Sequence, residues 1–234
     1  MVKIGYRLFL PNGPAIVRRF VREMRFRVFL DLKFPGIPSE VFEASAEATR
    51  FGVTMFTVYG LGGLAMMQAA RAGVEKAMAE PKMDGRERPR VLATTITTSQ
   101  GYASLLRLRL VRDSSDLKEE FRPAFEDTEV ERRVVEVAQL AQEAGLDGVV
   151  ASSREVASIR KACGSDFVIV ATGINAFGIP AYDQMRTGTA GQAVQDGADY
   201  VVAGRMLLGA RDPIGVAGRI ICEITTAMQT RKEA

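Results

Sequence analysis

The chain of 234 residues contains no histidine. That absence removes Ser-His-Asp and Cys-His nucleophilic catalysis and counts against a zinc site. Acid–base work must then fall to Lys, Asp, Glu or Tyr. Cysteine is nearly absent too: Cys163 and Cys222 stand far apart, without metal-ligand spacing. Two buried thiols rather than a disulfide are expected. No run of about 18 apolar residues exists, so no membrane span is expected. The N-terminus lacks the long apolar region of a signal peptide, and the expected location is cytoplasmic. An excess of one charge sign is missing as well. Lys and Arg number 31 against 28 Asp and Glu, a net charge of +3. This is too little to argue for nucleic acid, and no basic run is interleaved with aromatics. A basic balance still suits an anionic small substrate such as a phosphate ester.

What the chain does have is apolar material, 47% of its residues, enough for a sizeable core. Short apolar runs alternate with helical patterns. Strands are expected at Val2–Gly5, Arg27–Leu32, Met55–Tyr59, Arg90–Thr97, Gly148–Ala151, Phe167–Ala171 and Tyr200–Ala203. Most are rich in Val, Ile or Phe, as buried parallel strands are. Helices are expected at Pro14–Arg25, Pro38–Phe51, Gly63–Ala79, Thr128–Ala144, Ser153–Cys163, Thr189–Asp196 and Pro213–Gln229. Gly145, Gly164 and Gly197 stand where helices should end. Strands alternating with helices imply βαβ units, a parallel sheet and an α/β fold. Barrels of this class, roughly 200–250 residues long, commonly stay undivided, so residues 1–234 are expected to form a single domain.

An insertion of polar character spans roughly residues 101–127, longer than a typical connection. It opens with Leu105-Leu-Arg-Leu-Arg-Leu-Val-Arg112, which alternates apolar and basic residues. Two readings stay open. The run is a helix or surface hairpin decorating one face, or an added strand that pairs with a sheet edge or a partner subunit.

The segment of highest information is Phe26-Arg-Val-Phe-Leu-Asp-Leu-Lys33. Asp31 and Lys33 are two apart on a strand and share a side of the sheet. Lys3 lies on the preceding strand. Taken alone, Lys3, Asp31 and Lys33 read either as a satisfied ion-pair cluster or as a site at strand C-terminal ends, where barrels carry their chemistry. The flanks make the pattern specific. Val2-Lys-Ile-Gly with Leu8-Phe9 and Gly13-Pro14, Phe29-Leu-Asp-Leu-Lys-Phe34, Gly36-Ile-Pro38 and Thr57-Val-Tyr-Gly-Leu-Gly-Gly63 form one set. Thr97-Thr98-Ser99, Ala171-Thr-Gly-Ile-Asn175, Asp183-Gln184-Met185-Arg186 and Ala203-Gly204-Arg205 complete it. From Lys3 to about Ile224 the chain resembles the orotidine 5'-phosphate decarboxylase family.

The resemblance implies a (β/α)8 TIM-type barrel, here with seven units and no counterpart of the family's first strand. Either the sequence starts late, or the barrel is open, or another segment fills the seam. It implies decarboxylation of orotidine 5'-phosphate to UMP without metal or organic cofactor, in a homodimer. Lys33 matches the proton donor, Asp31 would crowd the substrate carboxylate and hold Lys33, and Lys3 would hold Asp31. Thr98 and Ser99 match a segment on the pyrimidine ring. Gln184, Gly204 and Arg205 match a phosphate grip, with Gly178 nearby. A glycine–arginine pair after an apolar strand offers backbone N–H groups and a guanidinium fork independently of the resemblance. Taken alone, the same pair also reads as an exposed arginine in a turn. The chain departs from the family at three places. Gly36 replaces the last acid of Asp-x-Lys-x-x-Asp, Tyr59 stands in place of a histidine and Asn175 in place of an arginine. These departures keep an alternative open, a barrel that binds a nucleotide or sugar phosphate without turnover. A related reaction on a sugar phosphate, with magnesium held by the acidic signature, fits less well without that last acid.

Overall fold

The computed structural model of the chain describes residues 1–175, 183 and 185–233. Their order is β1 (Val2–Gly5), α1 (Tyr6–Arg18), β2 (Val28–Phe34), α2 (Pro38–Phe51), β3 (Met55–Tyr59), α3 (Leu64–Met78) and β4 (Arg90–Thr94). There follow α4 (Tyr102–Arg107), α5 (Arg122–Glu143), β5 (Gly148–Ser152), α6 (Val156–Cys163), β6 (Val168–Thr172), α7 (Ala190–Gln195), β7 (Tyr200–Val201), α8 (Arg205–Leu208) and α9 (Pro213–Glu233). The chain divides into two compact units. One comprises residues 1–95 and 138–149, the other residues 96–137 and 150–234.

In the first unit β1, β2, β3 and β4 pair in sequence order, all parallel. Large apolar residues along these strands are fully buried: Ile4, Val28, Leu30, Met55, Phe56, Val58 and Leu92. Each crossover is a helix, as parallel pairing requires. Proline opens α2 at its first turn, where its missing N–H costs nothing. The α2 and α3 backbones nearly touch. A Cβ at Gly73 would lie 2.2 Å from the Phe42 carbonyl oxygen, so only glycine fits. Asp147, just before β5, donates its N–H to the Val91 carbonyl at 3.0 Å and accepts from the Val91 N–H at 2.7 Å.

In the second unit β6 and β7 are parallel neighbours, with Val170 opposite Tyr200 and Ala171 opposite Val201. The Thr172 hydroxyl donates to the Ala151 carbonyl of β5 at 3.0 Å. Gly145, Gly164 and Gly197 follow α5, α6 and α7 with positive φ, as their spacing predicted.

Several boundaries differ from the sequence expectation. The first helix starts at Tyr6, eight residues before Pro14, and bends where Gly13 takes φ 59°. Pro14 follows that bend, so it opens a second helical run instead of breaking one. A π-helical turn, Arg19–Glu23, extends it. The fourth strand ends at Thr94 because the chain turns, with the Gln100 N–H bonded to the Thr97 carbonyl at 2.9 Å. Cys163 is buried as expected, and Cys222 is exposed.

The added-strand reading of Leu105–Arg112 is overturned. Tyr102–Arg107 is a helix, with the Leu105 N–H bonded to the Gly101 carbonyl at 3.2 Å. The chain then doubles back through Arg109 at φ 55°, and the Leu110 N–H reaches the Leu105 carbonyl. Leu105 and Val111 are buried while Leu108 is exposed, so the alternation never meets a sheet. A carboxylate on α5 holds this insertion. Glu129 is 0% exposed. It accepts from the Arg112 backbone N–H at 2.9 Å, the Arg112 guanidinium at 2.5 Å and that of Arg132 at 3.0 Å. The bonds from Arg132 and Arg112 outweigh burial and keep the Glu129 carboxyl far below its ordinary 4.5.

Candidate active site

Asp31 is 7% exposed, toward the C-terminal end of β2. A buried carboxylate needs compensating charge and hydrogen bonds. Lys3 of β1 meets Oδ2 at 2.7 Å and Lys33 meets Oδ1 at 2.7 Å. The Thr57 hydroxyl of β3 donates to Oδ1 at 3.1 Å. Burial pushes the Asp31 carboxyl up, but the charges and hydrogen bonds of Lys3 and Lys33 outweigh it and hold the group below its ordinary range. The cluster therefore carries one negative and two positive charges, and both ammoniums remain about one-third exposed. It can attract an anionic ligand while presenting a carboxylate and a proton-donating ammonium side by side.

The backbone here is irregular. Leu30 pairs with Phe56 and Phe34 with Val58, so Asp31, Leu32 and Lys33 all oppose the single residue Thr57. Such bulges re-aim side chains. Lys33 itself takes φ 48°, a left-handed conformation that non-glycine residues rarely adopt. Tyr6, at the start of α1, donates its hydroxyl to the Leu32 carbonyl. Burial, with a smaller effect from Asp31, raises its phenol above the ordinary value, so it stays a neutral donor. Beyond the bulge Gly36 has φ 148°, and a Cβ there would stand 2.8 Å from the Glu40 carboxylate. The Glu40 carboxylate, from the first turn of α2, thus lies beside Gly36.

The other sequence-predicted residues belong to the second unit. Thr98 and Ser99 lie in the turn after β4. The Thr98 carbonyl accepts from the Met185 N–H at 2.8 Å, and the Thr97 and Ser99 hydroxyls are 3.3 Å apart. Gly204 precedes α8 and Arg205 opens it, its guanidinium paired with Asp183. Gln184 and Gly178 lie outside the described residues. Lys3 and Lys33 thus both contact Asp31, whereas Thr98, Ser99, Gly204 and Arg205 are held by separate local bonds. Among the described residues no group of three or more His, Cys, Asp or Glu could hold a metal ion.

Sequence reasoning gave no role to three residues that shape this region. Thr57 is the first; its signal is a lone hydroxyl in the buried strand Met-Phe-Thr-Val-Tyr, where a polar group must find a partner. Tyr6 is the second. The third is Arg186, only 6% exposed, in the segment quoted for its glutamine. Its guanidinium donates to the carbonyls of Ile96 at 2.7 Å, Thr97 at 3.1 Å and Gln100 at 3.2 Å, and pairs with buried Glu155. It ties down the turn that carries Thr98 and Ser99.

Comparison with known proteins bears on the family and the fold. A family model described as Orotidine 5'-phosphate decarboxylase / HUMPS family matches residues 1–220. An orotidine 5'-phosphate decarboxylase of Syntrophotalea carbinolica is 42% identical over 228 residues, 97% of this chain and 85% of the relative. One of Geobacter sulfurreducens is 42% identical over 224 residues, 96% of this chain and 84% of the relative. The crystal structure of orotidine 5'-phosphate decarboxylase from Lactobacillus acidophilus superimposes with a TM-score of 0.75 at 28% identity, covering 96% of this chain and 86% of that one. With the seven strands and alternating helices, this likeness makes the fold α/β of the TIM-barrel type. By the extent of the family match and the identity to its members, the chain belongs to the orotidine 5'-phosphate decarboxylase / HUMPS family.

Proposed function

We propose that this protein decarboxylates orotidine 5'-phosphate to UMP, with Lys33 as the proton donor and no cofactor. The observation that carries the reading is the Lys3–Asp31–Lys33 cluster, with both ammoniums 2.7 Å from one buried carboxylate. A substrate carboxylate set beside Asp31 is repelled in the ground state, and that repulsion is relieved as CO2 departs. The C6–carboxyl bond breaks and its electron pair stays on C6. The Lys33 ammonium stabilises that charge and gives its proton to C6, leaving a neutral amine that water reprotonates. Lys3 keeps Asp31 ionised throughout. Thr98 and Ser99 contact the pyrimidine, and Gln184, Gly204 and Arg205 hold the phosphate.

The reading also includes a homodimer in the cytoplasm. No helix among the described residues is long and apolar enough to cross a membrane, and Leu10 and Ile37 expose large apolar side chains in the first unit. Light scattering on the purified protein measures the dimer. The function is tested by following loss of orotidine 5'-phosphate absorbance, with Lys33→Ala as control. Turnover that vanishes in the control is expected. Absence of turnover in the unmodified protein, with UMP still bound, would favour a barrel that binds without reacting.

A further inference from the structure

We propose that Thr57 is a positioning residue for Lys33: its buried hydroxyl holds the lysine backbone in the left-handed conformation that sets the ammonium against Asp31. The inference rests on the assignment of Lys33 as proton donor. Thr57 is 0% exposed and is the only β3 residue opposite Asp31, Leu32 and Lys33. In the regular part of β2 the Arg27 carbonyl faces β1 and the Val28 carbonyl faces β3, so an unbroken ladder would turn the Lys33 N–H toward β1. Here it bonds to the Thr57 side chain, Oγ1 accepting at 2.8 Å. The same hydroxyl spends its proton on Asp31 Oδ1 at 3.1 Å. One oxygen therefore fixes the backbone of Lys33 and the carboxylate that Lys33 grips at 2.7 Å.

That arrangement gives the strain at Lys33 a purpose. A non-glycine residue at φ 48° persists only where its surroundings over-determine it. Thr57 from one side and the Tyr6 hydroxyl on the Leu32 carbonyl from the other bracket the bulge. Neither residue needs to touch a ligand. Without the Thr57 hydroxyl, the Lys33 N–H would lose its acceptor, and relaxation of φ into the extended region would swing the ammonium away.

The test pairs Thr57→Val, which keeps shape and burial, with Thr57→Ser, which restores the oxygen. Thr57→Val should lower kcat roughly 10- to 100-fold, the scale of a small misplacement of a reacting group, with KM little changed. Thr57→Ser should recover most of that loss. A merely structural role would instead lower thermal stability while leaving kcat of the folded fraction intact, and that result overturns the proposal. Amide exchange at Lys33 is a second readout that needs no turnover. It should be protected in the parent and Thr57→Ser and fast in Thr57→Val. Equal protection in all three also overturns the proposal, whatever the activity. Loss of the Lys33→Ala contrast would instead remove the proton-donor reading on which the inference rests, and the amide result would still decide what Thr57 does to the backbone.

Discussion

At the scale of residues, Asp31 depends on its company. A carboxylate this buried is tolerable only because two ammoniums and a hydroxyl share its oxygens. Asp31→Asn keeps the shape and removes the charge, leaving Lys3 and Lys33 to repel each other. Turnover of orotidine 5'-phosphate should fall by at least about 100-fold, read by steady-state kinetics. Arg205 acts at a different point. Its guanidinium is 42% exposed and paired with Asp183, and the proposed phosphate grip requires it to exchange that partner. Arg205→Ala should weaken UMP about 100-fold or more while changing uridine affinity little, as calorimetry would measure. Equal losses would exclude a phosphate role. The charged cluster was legible in the sequence because charges on apolar strands demand partners. Thr57 left a fainter signal, a lone hydroxyl in an apolar strand, and Arg186 none, because an arginine is unremarkable until a fold closes around it. Glu40 carried no signal either: only the path of the chain at Gly36 brings its carboxylate beside that residue.

At the scale of elements, packing of α2 on α3 hangs on one missing methyl. Gly73→Ala should destabilise the protein by about 1–3 kcal/mol, since a new Cβ meets a backbone oxygen that cannot step aside. Thermal melting would register it as a lower midpoint. Glu129→Gln should loosen the insertion before it unfolds the whole. Arg112 and Arg132 stand partly in water, so the loss is about 1–2 kcal/mol, visible first as faster proteolysis between residues 108 and 121. Strands and helices with clear period and flanking breakers, such as Met55–Tyr59 and Pro38–Phe51, were readable to the residue. Elements set by tertiary partners were not. Arg122–Asp127 extends α5 without an apolar stripe, and Leu105–Arg112 imitates a strand that no neighbour pairs with.

At the scale of the whole molecule, the lack of histidine shapes the response to pH. No side chain with an ordinary value between 5 and 8 is present, so any change in stability across that interval should come from groups shifted into it. Below it the depressed carboxyls take over. Arg50 and Lys82 hold Glu80 at about 2, while Glu129 and Asp31 are also lowered. Each contributes stability that is complete above its unfolded value, 4.5 for the glutamates and 3.8 for the aspartate. That stability fades as pH drops toward the folded values. Glu155 runs the other way. Burial raises it in spite of Arg186, so its contribution is largest in acid and declines as pH rises through its folded value. Denaturant midpoints measured from pH 2 to 8 should show the acid fall, with the opposing decline from Glu155 above it.

Arg186 spends its donors on three carbonyls of the turn at residues 96–100 and on Glu155, while the adjoining Met185 N–H holds Thr98. Segments some ninety positions apart in the chain are thus fastened by one planar fork that lysine cannot imitate. Opening the turn after β4 breaks these bonds, so it must carry Arg186 and Met185 with it or leave their donors unpaired.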